Sequence, residues 1–234
     1  MSQRVMLKLS GEMLGGQDHS NFNADALSLI AHEIQSLHEA DYEVAAVIGG
    51  GNIWRGAIAS EFGMNRASAD YMGMLATCIN ALALQEVLEN RCNIPTRVMT
   101  SLGIPELAEP YIRRRADKHL KNKSIVLFAG GTGNPFFTTD TAASLRAREI
   151  GAHMILKATK VDGIYDKDPL KHPDAKRYQT LSYLDVISQK LGVMDATAMT
   201  MCMESHIPIK VFKLDSPGCV LNAIQNPEVG TTVK

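Results

Sequence analysis

Several binding signatures are missing from this sequence, and each absence removes a class of function. No segment matches G-x-x-x-x-G-K-S/T, so there is no Walker-type P-loop. Gly49-Gly50-Gly51 continues as Asn-Ile-Trp-Arg-Gly, which breaks the G-x-G-x-x-G fingerprint and argues against dinucleotide binding. Cysteine is scarce: Cys78, Cys92, Cys202 and Cys219 form no C-x-x-C pair and keep no metal-ligand spacing to histidine. They read as buried small hydrophobes in a reducing compartment. An excess of one charge is also absent, with 24 Lys plus Arg against 25 Asp plus Glu. That balance offers no general attraction for nucleic acid or an anionic membrane, so any anion site must be local. Long hydrophobic runs are missing as well. Lys8 interrupts the first apolar stretch, which excludes a secretory core there, and no stretch reads as the ~18–20 apolar residues of a membrane span. The expectation is a cytoplasmic protein with no membrane partner.

Hydrophobic residues make up 45% of the 234 residues, enough for a proper core. Short apolar runs alternate with segments of helical spacing, which predicts an α/β fold: a three-layer αβα sandwich around a mostly parallel sheet. Strands are expected at 4–9, 44–48, 96–100, 125–129, 153–157, 208–212 and 231–233. Helices are expected at 24–40 behind an Asn23 cap, and at 68–90, 105–121, 139–150, 183–190, 196–205 and 219–224. The stretch 161–178, with glycine, two prolines and many charges, reads as loop or hairpin. There is no internal repeat or low-complexity linker. One domain over 1–234 is expected, with a join between lobes near 151–160.

Three predicted strands end in glycine-bearing turns: Ser10-Gly11, Gly49-Gly50-Gly51 and Gly130-Gly131-Thr132-Gly133. In open α/β sheets ligands sit beyond the carboxyl ends of strands, where glycine lets main-chain N–H groups reach a phosphate. A single such turn can be purely steric; three together point to an anionic ligand. Lys8 lies two residues before the first turn. It reads either as a lysine snorkelling from an edge strand or as a cation bridging donor and acceptor phosphates. Arg55 is a surface arginine or a contact for the transition state. Asp70 is expected to open a helix, as a cap or dipole partner if not a ligand group. The run from Thr132 through Asp140 (TGNPFFTTD) offers hydroxyls, an amide and ring faces for a base, or else is an elaborate turn ending in a cap. Arg113-Arg114-Arg115 with Lys118, Lys121 and Lys123 spreads around a helix as a solvated face would, which leaves nucleic-acid contact the minority reading.

The blocks KLSGE (8–12), IGGGNIWRG (48–56), GMNR (63–66), DYMGMLAT (70–77), GTGNPFFTTD (131–140) and KATKVDG (157–163) resemble the amino acid kinase family over essentially the whole chain. GTGNPFFTTD and MGMLAT are similar to its uridylate branch in particular. The resemblance implies a homohexamer and phosphoryl transfer from ATP to UMP, with Mg2+ held through the nucleotide phosphates rather than by a protein metal site. It implies lobes 1–155 on the UMP side and 156–234 on the ATP side. Lys8, Leu9, Ser10, Gly11, Gly51 and Arg55 would serve the ATP phosphates, and Thr159, Tyr165 and Asp168 the adenine and ribose. Gly50, Asp70, Thr132, Gly133, Asn134, Pro135, Phe136, Phe137, Thr138 and Thr139 would hold UMP. Asp140 and Asp195 would organise the site, with Lys8 and Arg55 completing the catalytic set. UTP inhibition and a GTP effect also follow from the resemblance. The glycine-rich segment associated with GTP departs from the family, since Gln17 to Asp25 keeps Phe22 and Asp25 but loses the glycines. The rivals are another member of the family acting on a carboxylate or carbamate, and a nucleotide-binding regulator.

Overall fold

The computed structural model describes residues 3–15, 20–169 and 171–234; Gln17, Asp18 and His19 of the altered segment lie outside them. Among the described residues there are eleven strands: β1 (Arg4–Leu9), β2 (Glu43–Ile48), β3 (Thr96–Thr100), β4 (Glu109–Pro110), β5 (Ile125–Ala129), β6 (Met154–Thr159), β7 (Ile164–Tyr165), β8 (Arg177–Tyr178), β9 (Thr180–Leu181), β10 (Ile209–Lys213) and β11 (Thr231–Val233). The helices are α1 (Ala24–Glu39), α2 (Gly56–Glu61), α3 (Arg66–Arg91), α4 (Arg113–Lys121), α5 (Thr139–Ile150), α6 (Tyr183–Ser188), α7 (Ala196–Glu204) and α8 (Cys219–Gln225). Nine strands form one sheet in the order β4-β3-β5-β2-β1-β6-β10-β11-β9. Only the β10–β11 pair in it is antiparallel. β7 and β8 make a separate antiparallel hairpin within the predicted 161–178 segment.

Side-chain alternation along the buried strands sorts the core into two layers. Val5, Leu7 and Leu9 join Ile30, Ile34 and Leu37 of α1, Leu84 and Leu88 of α3, and Val220 of α8. Met6, Ala45, Val47 and Phe128 face Leu120 of α4, Ala143 and Ala147 of α5, Val186 of α6 and Met199 of α7. Each fully buried Leu or Ile contributes about 1.5–3 kcal/mol by leaving water. The result is the expected helix–sheet–helix sandwich. Lys8 and Lys157 keep the alternation of Met6 and Ile155, so both side chains emerge on the face covered by α5.

Some sequence expectations change. The helix predicted from 105 begins only at Arg113, because Glu109-Pro110 pairs with Met99 and Thr100 as the sheet's edge strand. Proline lacks an N–H and biases its predecessor away from helix, so an edge position suits it. α2 and β9 were not foreseen. Lys8 is not on an edge strand: β1 is paired on both sides, with β2 and β6. α3 starts at Arg66 behind an Asn65 cap, which puts Asp70 in its second turn rather than at its opening. α3 is also long and apolar enough to cross a membrane by length and composition, a span the sequence reading did not expect. It packs on β3, β5 and α1. Cys78 and Cys202 are buried, but Cys92 and Cys219 are only half-buried. Arg113, Arg114, Arg115, Lys118 and Lys121 are exposed around α4.

Candidate active site at the carboxyl edge of the sheet

Because β1 and β6 run parallel with Lys8 opposite Lys157, two ammonium groups emerge side by side near the strand ends. Between them stands Asp140, in the first turn of α5. Its Oδ1 lies 2.7 Å from Lys8 Nζ and its Oδ2 2.8 Å from Lys157 Nζ. The Lys157 contact is an aligned hydrogen bond, whereas the Lys8 contact is an ion pair without that alignment. Lys157 also donates to the Val193 carbonyl. All three side chains are largely buried, Lys8 and Lys157 at 12% exposure and Asp140 at 16%. Burial alone would raise the Asp140 pKa, but the two lysines outweigh it and hold the carboxyl below its ordinary range. The Lys157 pKa is lowered by burial first and by the like charge of Lys8, against the pull of Asp140. With Asp140 ionised and both lysines charged, one positive charge is left over at the strand ends.

The backbone around this group is tight. A β-carbon on Gly11 would sit 2.4 Å from the Gly49 carbonyl oxygen, so only glycine lets these two turns touch. Leu9, the last residue of β1, is fully buried, and its carbonyl accepts from Gly49 N–H at 2.9 Å. Gly51 has room by comparison, its nearest neighbour being Glu12 Cγ at 3.7 Å. Ser10 caps the short 3-10 turn 11–13 without a side-chain bond.

On one side lies a cleft of about 290 Å³ lined by Gly50, Gly51, Trp54, Asp70, Thr132, Asn134, Phe137, Thr138 and Thr139, among others. Asp70 pairs with Arg66 at 2.9 Å and accepts the Phe136 N–H at 2.7 Å, which fastens the 132–139 loop to α3. Phe136 itself is 68% exposed, and neither it nor Gly133 nor Pro135 lines the cleft. Thr138 caps α5, accepting from Asp140 N and Thr141 N, while its hydroxyl donates to Asp195. Asp195 caps α7 through Ala198 N and accepts from Thr141 Oγ1 at 2.8 Å. It therefore reaches the cleft through threonine hydroxyls and touches neither lysine.

On the other side is a hollow of about 680 Å³ lined by Lys157, Thr159, Tyr165, Asp168, Val193 and neighbours from the β7 region. The Thr159 hydroxyl is engaged within its own turn, donating to Val161 O at 2.5 Å. The Tyr165 hydroxyl donates to Asp162 at 2.6 Å, and that bond is the main reason its pKa is raised. Arg55 is 61% exposed, folded back onto Gly51 O at 3.2 Å and Glu12 at 3.2 Å. Glu12 also meets Lys160 at 2.8 Å, the bond that chiefly lowers its carboxyl pKa.

Sequence reasoning missed Lys157 and Glu12. Lys157 carried the same signal as Lys8, a lone lysine in an apolar strand just before the turn. Glu12 stands in the KLSGE block, but nothing local marks it as the partner of two distant cations.

An α/β sandwich whose strand ends gather lysines and glycine turns, with no P-loop, defines a class that the comparisons name: the chain belongs to the amino acid kinase family, whose model matches residues 3–213. Among solved structures it is similar to a UMP kinase from Bacillus anthracis, at 44% identity and a TM-score of 0.96 over 99% of this chain and 96% of that one. A UMP kinase from Ureaplasma parvum is similar at 36% identity and a TM-score of 0.95, over 100% and 99%. A uridylate kinase from Archaeoglobus fulgidus follows at 27% identity and a TM-score of 0.75, over 98% and 99%.

Proposed function

We propose that this protein transfers the γ-phosphoryl group of ATP to UMP, giving UDP and ADP. The observation that carries the reading is the Lys8–Asp140–Lys157 group, set between two clefts at the strand ends. The smaller cleft takes UMP, with Gly50, Asp70 and the loop from Thr132 to Thr139 around it. The larger takes the adenosine of ATP near Thr159, Tyr165 and Asp168, and its phosphates extend toward Lys8, Ser10, Gly11 and Gly51. An oxygen of the UMP phosphate attacks the γ-phosphorus in line, and the bond to the β-phosphate oxygen breaks. The second pKa of a nucleotide phosphate is about 6, so the attacking group is largely dianionic at neutral pH and needs no strong base. Lys8, Lys157 and Arg55 neutralise charge on the transferring group, while the glycine turns and Asp140 fix the geometry. Arg55 must swing off Glu12 to take part.

A magnesium ion, when bound with the nucleotide, would supply further neutralisation of phosphate charge. Among the described residues no cluster of three His, Cys, Asp or Glu is suited to a metal, and both Asp140 oxygens already face lysines. The proposal has magnesium arrive on the nucleotide phosphates with its waters. The proposal extends to a single domain whose UMP and ATP sides divide near residue 155, acting in the cytoplasm in pyrimidine nucleotide synthesis. It includes assembly as a homohexamer, UTP as an inhibitor and a GTP effect. Assembly is supported by an exposed apolar stripe on α3, where Tyr71, Leu75 and Ile79 are 45%, 47% and 47% exposed. A coupled ADP-release assay with UMP, CMP, dUMP, acetylglutamate and carbamate, with and without UTP and GTP, tests the reading. UDP formation with UMP is expected, and turnover only on a carboxylate or carbamate would replace it.

A further inference from the structure

The two glycine turns that flank the lysine–aspartate group follow different strands, β2 and β5, yet one face of α3 holds both. Gly50 lies flat on that helix: a β-carbon there would come 2.7 Å from the Gly73 carbonyl oxygen and 2.8 Å from the Ala76 methyl. One residue further, buried Thr77 accepts the Gly130 N–H on its Oγ1 at 2.9 Å while donating to Met74 O at 2.6 Å. One turn on from Thr77, Asn80 is fully buried. Its Nδ2 donates to Gly49 O at 2.7 Å and to Asn52 Oδ1 at 2.7 Å, and Asn52 Nδ2 donates back to Asn80 Oδ1 at 3.0 Å. On the sheet-facing side of this helix the neighbours Cys78, Ala81, Leu84 and Leu88 are apolar. A buried polar group costs about 1–3 kcal/mol when its partner is missing, so two of them at an i, i+3 spacing are a liability for packing alone. Both are aimed at main-chain groups of the turns.

Pairing of β2 with β5 fixes the two strands only as far as Val47 and Phe128. Beyond that point no strand pairing joins the two turns among the described residues, and α3 touches both. We propose that Thr77 and Asn80 are positioning residues for phosphoryl transfer: together they set the gap between turn 49–51 and turn 130–133, and so the distance from acceptor phosphate to donor phosphate. The proposal rests on the reading that these turns hold substrate phosphates. In-line transfer requires the reacting atoms within roughly 3–3.5 Å, and a displacement of about 1 Å costs about 100-fold in rate.

Thr77→Val keeps the shape and removes the hydroxyl, Thr77→Ser restores it, and Asn80→Asp removes the donor facing Gly49. Trp54, the chain's one tryptophan, lines the UMP cleft, so its fluorescence reports UMP affinity apart from turnover. Rapid-quench single turnover on the full-length protein gives the transfer rate. Thr77→Val and Asn80→Asp are expected to lose about 10- to 100-fold in that rate with UMP affinity held within about threefold, and Thr77→Ser to recover most of the loss. A wild-type rate in Thr77→Val overturns the proposal. So does an equal loss in Thr77→Val and Thr77→Ser, or a loss of UMP affinity as large as the loss of rate. Should Asn80→Asp fail to fold, the Thr77 pair decides alone. Unmodified protein that forms no UDP sinks the functional reading itself and this proposal with it, a result seen before any variant is made.

Discussion

Lys8 shows how one side chain can be both structural and chemical. Its ammonium neutralises Asp140, and under the proposed function it stands where a transferring phosphoryl group gathers charge. Removing one such group from a water-poor site costs about 100- to 1,000-fold in kcat. Lys8→Ala is therefore expected to lose kcat on that scale while nucleotide affinity changes far less; steady-state kinetics with a binding titration checks this, and an unchanged kcat would overturn the assignment. Asp140→Asn leaves two buried ammonium groups without their counter-charge and is expected to destabilise the fold by about 3–5 kcal/mol at neutral pH. The sign of its pH dependence follows from linkage. The folded carboxyl has a pKa below its ordinary 3.8, so its contribution is present above that value and lost as the pH falls through the folded one. Urea unfolding of both proteins should show the gap closing toward acid pH. Lys8 was legible in the sequence because a charge in an apolar strand is conspicuous. Asp70 was only half legible: its place near the cleft could be read, but its bond to the Phe136 N–H depends on a loop 66 residues away.

Elements were legible where the local signals agree. The strands at 4–9, 96–100, 125–129 and 231–233 and the helix at 139–150 match their expected bounds; at 4–9 and 125–129 an apolar run ends in a glycine-bearing turn, and Thr138 caps the helix. The helix predicted over 105–121 fails in its first half because Pro110 is claimed by the sheet edge, a tertiary pairing that helical spacing cannot report. Caps were readable as residue types but not as joints. Asp195 caps α7 and, through Thr138, also steadies the start of α5. Replacing an Asp cap by Ala costs about 0.5–2 kcal/mol, so Asp195→Ala is expected to lose at least that much in urea unfolding, and to raise the KM for UMP by loosening Thr138. A variant with wild-type KM would confine Asp195 to capping.

At the scale of the whole molecule, the layered sandwich could be read from alternation, but the meeting of β1 with β6 could not. It brings together residues some 149 positions apart, and only the sheet order makes Lys8 and Lys157 neighbours. The outer surface carries its own expectation. Leu75 lies mid-stripe on α3, and under the proposed hexameric assembly Leu75→Glu should split it without unfolding the chain. Light scattering of the two proteins reads this directly, and an unchanged mass would place the contacts elsewhere.

Asp140 has one more consequence. Two ammonium groups this close would otherwise repel each other and wander toward solvent, and under the proposed function an arriving phosphate would have to collect them. The carboxylate keeps both in station before any nucleotide comes. The ordering of the cations is thus completed when the chain folds, once in the life of the protein rather than once in every turnover.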